Sequence, residues 1–167
     1  MAKPEENKEH KFLAMTDAYK SVIAKVCYLY VSPGASFEDL YQEVLINIWQ
    51  GMDGFRGDSK ISTWIYRTAI NTCITWHRKN DKHVKANSLE DLQTEPIDIA
   101  DAGFSIEDYK MLQLLITNLL PLEKALITMW LDDKPYDEIA EVTGLSRSNV
   151  AVKIHRIKEK LAKMATD

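Results

Sequence analysis

The sequence lacks the long apolar segments of membrane and secreted proteins. Its 167 residues contain no run of about 18 apolar residues, the length that a membrane-spanning helix requires. The first residues, Met1 to Lys8, are polar and have none of the apolar character of a secretory signal. We therefore expect no membrane insertion and a cytoplasmic location.

Residues that carry out catalysis or bind metals are scarce. The two cysteines, Cys27 and Cys73, form no Cys-x-x-Cys pair and fall in helical apolar patterns, which predicts buried thiols without a chemical role. The four histidines have no spacing typical of a catalytic base or of metal ligands, and the six glycines form no phosphate-cradling loop. Asp39 and Glu43 are four residues apart but lack a third ligand for a divalent ion. We expect no enzymatic activity, no cofactor and no metal site.

What the sequence does contain is a large apolar fraction and strongly segregated charge. Apolar residues make up 46% of the chain, enough for a packed core. The net charge of −4 argues against nucleic-acid binding, yet residues 56 to 85 carry seven Lys or Arg against two acids, and residues 145 to 167 carry six against two. Residues 88 to 110 carry seven acids and one lysine. Two basic segments therefore flank an acidic one.

The first basic segment contains the stretch from Phe55 to Lys79, in which apolar residues recur at helical spacing. One face of this predicted helix interleaves cations with an amide beside Trp64 and Tyr66, a mixture that suits phosphate contact and stacking on unpaired bases. An amphipathic core helix with a solvated basic side explains the stretch alone equally well. The basic face consists of Lys60, Thr63, Arg67, Asn71 and Arg78.

Two helices are predicted before this stretch. Apolar spacing indicates one from Thr16 to Val31, and the second begins after a favourable N-cap, Ser36. The predicted buried stripe of the second helix is Leu40, Val44, Leu45, Ile48 and Trp49. Its outer face, which is either solvated or bound to a partner, is Asp39, Gln42, Glu43 and Asn47.

A region without periodicity divides the chain. Acids, Asn, Pro96 and Gly103 accumulate after residue 80, and helical patterns resume at residues 106 to 119 and 122 to 131. We predict an all-α fold of two small helical domains, residues 10 to 80 and 106 to 167, joined by a flexible acidic linker at residues 81 to 105.

The second domain ends in a predicted helix-turn-helix. A short helix, Tyr136 to Thr143, is followed by Gly144, which can take the left-handed conformation of a tight turn, and by a longer basic helix capped by Ser146. An ordinary helical hairpin can show the same glycine, but the basic helix that follows favours DNA binding.

Helical phase selects the residues of the last helix that face outward. The buried stripe is Val150, Ile154, Ile157 and Leu161, so Val152 points away from the core. We expect Val152 to contact thymine methyl groups and Asn149 to pair with an adenine edge, with the cations on phosphates or guanine. A valine tolerated on a solvated face is the alternative. The predicted DNA contacts of this helix are Arg147, Ser148, Asn149, Val152, Lys153 and Arg156.

Taken in order, these segments resemble a bacterial sigma factor of the extracytoplasmic-function class. Three motifs carry the resemblance: residues 39 to 49, residues 55 to 71 with Thr63-Trp64-Ile65-Tyr66-Arg67, and Leu120-Pro121 followed by the helix-turn-helix. The sequence departs from the family at Ala151 and Val152, where a basic residue and a serine are frequent, so the resemblance does not supply the minus-thirty-five sequence.

The resemblance implies partners and site residues. Bacterial core RNA polymerase and promoter DNA are the expected partners, and an anti-sigma factor is a further candidate. The implied polymerase contacts are Asp39, Gln42, Glu43 and Trp49. The implied minus-ten contacts are Arg56, Gly57, Asp58, Ser59, Lys60, Trp64, Arg67 and Asn71.

The expected function is that of a sigma factor, which directs core polymerase to specific promoters and initiates transcription. The alternative is a stand-alone helix-turn-helix regulator with an N-terminal sensing or dimerisation module. An autonomous regulator needs cations to neutralise phosphates, and the negative net charge argues against it.

Overall fold

The computed structural model describes residues 3 to 80 and 106 to 167, and within these ranges the chain is helical without a named strand. The predicted all-α class is confirmed, whereas the predicted linker, residues 81 to 105, lies outside the described residues. A 3-10 turn, Met52–Gly54, follows the third helix. The α-helices are α1 Pro4–Ala18, α2 Lys20–Leu29, α3 Phe37–Gly51, α4 Ile61–Asn80, α5 Ile106–Thr117, α6 Pro121–Leu131, α7 Tyr136–Thr143 and α8 Arg147–Thr166.

The N-terminal module is built from α2, α3 and α4, which pack against one another. The Ser36 hydroxyl accepts a hydrogen bond from the backbone N–H of Asp39 at 3.1 Å, so the predicted cap of α3 is confirmed. The apolar stripes of the three helices meet in one core, which excludes water and fixes the outer face of α3. The core of this module includes Ile23, Val26, Leu40, Val44, Ile48, Ile65 and Ala69.

The single helix predicted from Thr16 to Val31 is wrong, because the chain forms two helices that meet at Tyr19. Tyr19 has φ −111° and ψ 15°, outside the helical region. The Thr16 hydroxyl donates to the carbonyl of Phe12 just before this break, a bond that competes with regular helix geometry. The break allows α2 to bury its apolar stripe in the core while α1, which has no buried residue, lies on the surface.

The C-terminal module packs α6, α7 and α8 together, with α5 against α8. Gly144 ends α7 at φ 76°, and the Ser146 hydroxyl accepts from the backbone N–H of Asn149 at 3.2 Å. The turn and the cap of the predicted helix-turn-helix are therefore confirmed. Of the predicted stripe in α8, Val150, Ile154 and Ile157 are buried and Leu161 is half-buried.

The two modules also lie against each other. The hydroxyl of Tyr30, the residue after α2, donates to the carbonyl of Pro121 at 2.7 Å, and Lys25 of α2 forms an ion pair with Asp132 at 2.5 Å. α4 contacts both α6 and α7. None of the described helices is both long and apolar enough to cross a membrane.

Candidate functional site

The outer face of α3 is the first candidate surface. Asp39 and Gln42 are exposed, and Trp49 is 37% exposed. Ile46 lies between them along the helix and is 46% exposed, although it is not among the predicted contacts. Its position, four residues after Gln42 and three before Trp49, is the signal that could have identified it.

Trp49 is held at the end of this face by α1. The ring of Phe12 meets it edge to face, with centroids 5.2 Å apart, and the Lys8 ammonium lies 4.4 Å from its ring centroid. Lys8 is itself paired with Asp53 at 2.7 Å. Trp49 is predicted in the buried stripe of α3, but it is 37% exposed and packs against Phe12 and Lys8 of α1.

Glu43 and Asn71 line one groove between α3 and α4, with a volume of about 360 Å³. Asn47 fixes the groove from the α3 side by donating to the Thr72 hydroxyl at 2.9 Å. Glu43 is a predicted polymerase contact and Asn71 a predicted DNA contact, and the two lie on opposite walls of the same groove. The other lining residues include Thr68, Thr75, Trp76 and Lys79.

The loop before α4 presents the next group of predicted contacts. Arg56, Gly57, Asp58 and Lys60 are exposed, and Ser59 is half-buried. Gly57 has φ 77°, a left-handed conformation that a side chain would strain. The loop therefore exposes two cations beside a turn that requires glycine.

Trp64 is half-buried and packs on this loop. Its ring lies 5.5 Å from that of Phe55, and a Cβ at Gly51 would lie 3.1 Å from its Cζ2 atom. The prediction that Tyr66 helps to stack on bases is wrong, because Tyr66 is 1% exposed and is not available to a base. Ile65 and Tyr66 are both buried, and the Lys134 ammonium lies 5.5 Å from the centroid of the Tyr66 ring.

The predicted contacts of α8 are largely exposed. Arg147, Ser148, Asn149 and Arg156 are exposed, and Lys153 is half-buried. Val152 is 49% exposed, so the outward direction predicted from helical phase is confirmed. The guanidinium of Arg147 lies 3.5 Å from the Asp137 carboxylate at the start of α7.

Two buried groups of the N-terminal module have raised pKa values. Cys73 is buried beside Cys27, and their hydrogen bond, together with burial, raises the pKa of the Cys73 thiol well above its usual range. Burial likewise raises the pKa of the Tyr30 phenol. No group of His, Cys, Asp and Glu within the described residues could hold a metal ion.

Two family models match the chain. The model described as Sigma-70 region 2 matches residues 15–83, and the model described as Sigma-70, region 4 matches residues 109–161. The first match covers α2, α3 and α4, and the second covers the helix-turn-helix.

Several curated proteins are similar along most of their length. The chain is 28% identical to the ECF RNA polymerase sigma factor SigW of Bacillus subtilis, covering 93% of this chain and 89% of the relative. It is 30% identical to the RNA polymerase sigma factor YlaC of Bacillus subtilis, covering 77% of each. Identity to the ECF RNA polymerase sigma-E factor of Escherichia coli is 26%, over 84% of this chain and 79% of the relative.

The fold is also similar to a solved structure. It matches the co-crystal structure of the sigma factor RpoE in complex with the anti-sigma factor NepR from Bartonella quintana with a TM-score of 0.66. The match covers 96% of this chain and 98% of the other at 16% identity, so the likeness is one of fold.

Proposed function

Because the chain belongs to the extracytoplasmic-function sigma factors of bacterial RNA polymerase, we propose that three of its surfaces divide promoter recognition between them. The chain directs core polymerase to specific promoters and initiates transcription, as the class does. The region 2 match over residues 15–83 carries this conclusion. It favours a sigma factor over a stand-alone regulator, which would not need that N-terminal module.

The first proposed surface binds core polymerase through α3. An exposed apolar pair, Ile46 and Trp49, adjoins acidic and amide groups, and an aromatic anchor with a polar rim is the usual composition of a protein interface. We therefore add Ile46 to the residues assigned from the resemblance. The proposed contacts are Asp39, Gln42, Glu43, Ile46 and Trp49.

The second proposed surface reads the minus-ten element. The exposed loop cations are suited to phosphates, and Trp64, whose ring packs on Phe55, stacks in this proposal at the edge of the melted duplex. Asn71 can offer its amide to an extruded base from the groove that it shares with Glu43. The proposed contacts are Arg56, Gly57, Asp58, Ser59, Lys60, Trp64, Arg67 and Asn71.

The third proposed surface reads the minus-thirty-five element with α8. The start of this helix is positively polarised and carries Arg147, Ser148 and Asn149, all exposed. Val152 supplies an apolar contact in the middle of an otherwise polar face. The chain acts with the polymerase in the cytoplasm and carries out no catalytic step of its own. An anti-sigma factor is a further proposed partner, because the similar RpoE was solved in complex with one.

Charge reversal on α3 tests the polymerase assignment. Glu43→Lys should lower the affinity for bacterial core polymerase at least about tenfold, because a reversed charge in an interface opposes a complementary surface. Binding is measured with labelled protein and DNA-free core, and circular dichroism verifies that the variant is folded.

The matched control is Glu159→Lys, which makes the same charge change on α8 at a side chain that is 68% exposed. It should bind core polymerase like the wild type. A folded Glu43→Lys protein that binds as tightly as the control would refute the assignment of this face.

A further inference from the structure

The last turn of α3 is in contact with α1. Trp49 lies in that turn, and two side chains of α1 meet its ring: Phe12, nearly perpendicular to it with centroids 5.2 Å apart, and Lys8, whose ammonium lies 4.4 Å from its centroid. Lys8 and Phe12 are four residues apart, so both lie on the same face of α1. The surface helix α1, which has no buried residue, therefore meets the proposed polymerase surface at its aromatic residue.

The Lys8 ammonium has a second partner beyond the end of α3. It pairs with the Asp53 carboxylate at 2.7 Å, and Asp53 belongs to the 3-10 turn, Met52–Gly54. Trp49 and Asp53 lie on either side of Gly51, the residue at which α3 ends. One ammonium thus joins the last turn of α3 to the turn that follows it.

The electrostatics of α3 favour a cation at this place. The first turn of the helix contains Glu38 and Asp39, whereas its last turn contains no basic residue of its own. The C-terminal end of a helix carries partial negative charge, which a nearby cation stabilises. Lys8 supplies that cation from another helix. Its side chain is 23% exposed, so the attraction is screened by salt less than it would be at the open surface.

These contacts restrain one side chain more than they stabilise the fold. A cation over an aromatic ring, a perpendicular pair of rings and an ion pair whose carboxylate is 69% exposed are each weak. Together they restrict the rotamers of Trp49, which is still 37% exposed. A side chain that is ordered before binding loses less conformational entropy in the complex, so the affinity for the partner is higher.

We infer that Lys8 is a positioning residue of the polymerase surface, which together with Phe12 fixes the Trp49 ring for binding. The pair with Asp53 keeps the ammonium over that ring, so Lys8 acts through Trp49. Lys8 and Phe12 both precede the residues that match Sigma-70 region 2, 15–83, and the inference therefore adds a part of the chain outside that match. It rests on the proposed role of Trp49 in binding core polymerase.

Fluorine NMR of the free protein tests whether Lys8 holds the Trp49 ring. The full-length chain labelled with 5-fluorotryptophan should give four resonances, one for each tryptophan, and Trp49→Phe identifies that of Trp49. Lys8→Met keeps a long side chain but removes its charge, so it should move the Trp49 resonance by more than its linewidth. Lys8→Arg restores a cation that can both cover the ring and pair with Asp53, and should return the resonance toward its wild-type position.

The matched control is Lys11→Met, which makes the same change at an exposed lysine of the same helix. It should leave the Trp49 resonance in place. The resonances of Trp76 and Trp130, in α4 and α6 and identified in the same way, verify that each variant is folded. A Trp49 resonance that stays in place in Lys8→Met, or that moves as far in Lys11→Met, would overturn the inference without any reference to polymerase.

Affinity for DNA-free core polymerase tests whether this positioning contributes to binding. Trp49→Ala should lower the affinity about tenfold or more, as expected for an aromatic anchor of an interface. Lys8→Met should lower it about threefold to tenfold, because one side chain must then be ordered on binding. Lys8→Arg should recover most of this loss, and Lys11→Met should bind like the wild type.

A double variant separates positioning from direct contact with polymerase. If Lys8 acts through Trp49, Lys8→Met should cost no further affinity in a chain that already carries Trp49→Ala, because the effects of residues in contact are not additive. A further loss as large as in the wild-type background would overturn the inference and leave the proposed polymerase surface intact. If Trp49→Ala itself binds core polymerase like the wild type, the proposed surface is wrong and the inference falls with it, whatever the fluorine spectrum shows.

Discussion

Cys73 shows how the core of the N-terminal module determines the chemistry of a single side chain. Its thiol is buried against Cys27, and the hydrogen bond between them is the larger cause of its raised pKa, with burial second. The charge of Lys124 acts in the opposite direction but is outweighed. A thiol that resists deprotonation is a poor nucleophile, so this pair contributes packing rather than reactivity.

The raised pKa predicts how stability depends on pH. In the unfolded chain the Cys73 thiol releases its proton at the ordinary thiol value, about pH 8.5, while the folded protein still holds it. The free energy of unfolding should therefore be steady below that pH and fall above it, by up to about 1.4 kcal/mol per pH unit. Tyr30, whose pKa is raised by burial, adds the same trend at higher pH.

Urea unfolding at intervals between pH 7 and pH 10 measures this slope. Cys73→Ala is less stable throughout because it leaves a cavity, but it should show a shallower decline between about pH 8.5 and pH 10. Equal slopes for the variant and the wild type would contradict the assigned cause.

At the scale of elements, α8 carries two kinds of predicted DNA contact that mutation can separate. Val152 is half exposed on the outward face, so Val152→Ser should change the preference at one thymine position by about 1 kcal/mol or less. Lys153→Ala should instead weaken all sequences alike and flatten the dependence on salt, because a phosphate contact carries no sequence information.

Selection of upstream elements from a randomised promoter library, repeated with both variants and the polymerase, measures both effects. The two substitutions are adjacent on one helix, so each is a control for the other. A preference that is unchanged in Val152→Ser would refute the methyl contact and leave a valine tolerated on a solvated face.

Helix caps, turns and buried helix faces could be predicted from the sequence where residues close together in the chain determine them. The cap of α3 at Ser36, the left-handed Gly144 and the buried side of α8 all follow from residues a few positions apart. The division between α1 and α2 was missed because the apolar residues around Tyr19 continue a helical pattern across the break. The burial of Tyr66 was missed because a helix with two apolar faces does not show which face is covered.

Contacts between the modules had no such signal. Thr63 and Glu138 are 75 positions apart, and Lys25 and Asp132 are 107 apart. Threonine and glutamate are both ordinary surface residues, so neither type predicts a buried contact. The exposed position of the candidate site residues could be predicted from helical phase, but the covering of Arg67 by α7 required the tertiary structure.

At the scale of the whole molecule, the distribution of charge and the contacts between the modules both favour DNA binding by the complex with polymerase over DNA binding by the free protein. The chain has a net charge of −4, and two acids of α7, Glu138 and Glu141, lie against Thr63 and Arg67 of α4. Both properties weaken the attraction of the free protein to duplex DNA. Tight promoter binding should therefore belong to the complex with polymerase, and specificity should come from the two basic surfaces acting together.

Transcription in vitro tests this account most directly. Bacterial core polymerase is incubated with fragmented genomic DNA of its own species, with and without the protein, and transcript start sites are mapped. We expect new start sites that appear only with both proteins and share two upstream elements at a fixed spacing, one for each DNA-reading surface. Protein that binds core polymerase but yields no new start sites, or that selects DNA as tightly without polymerase, would contradict it.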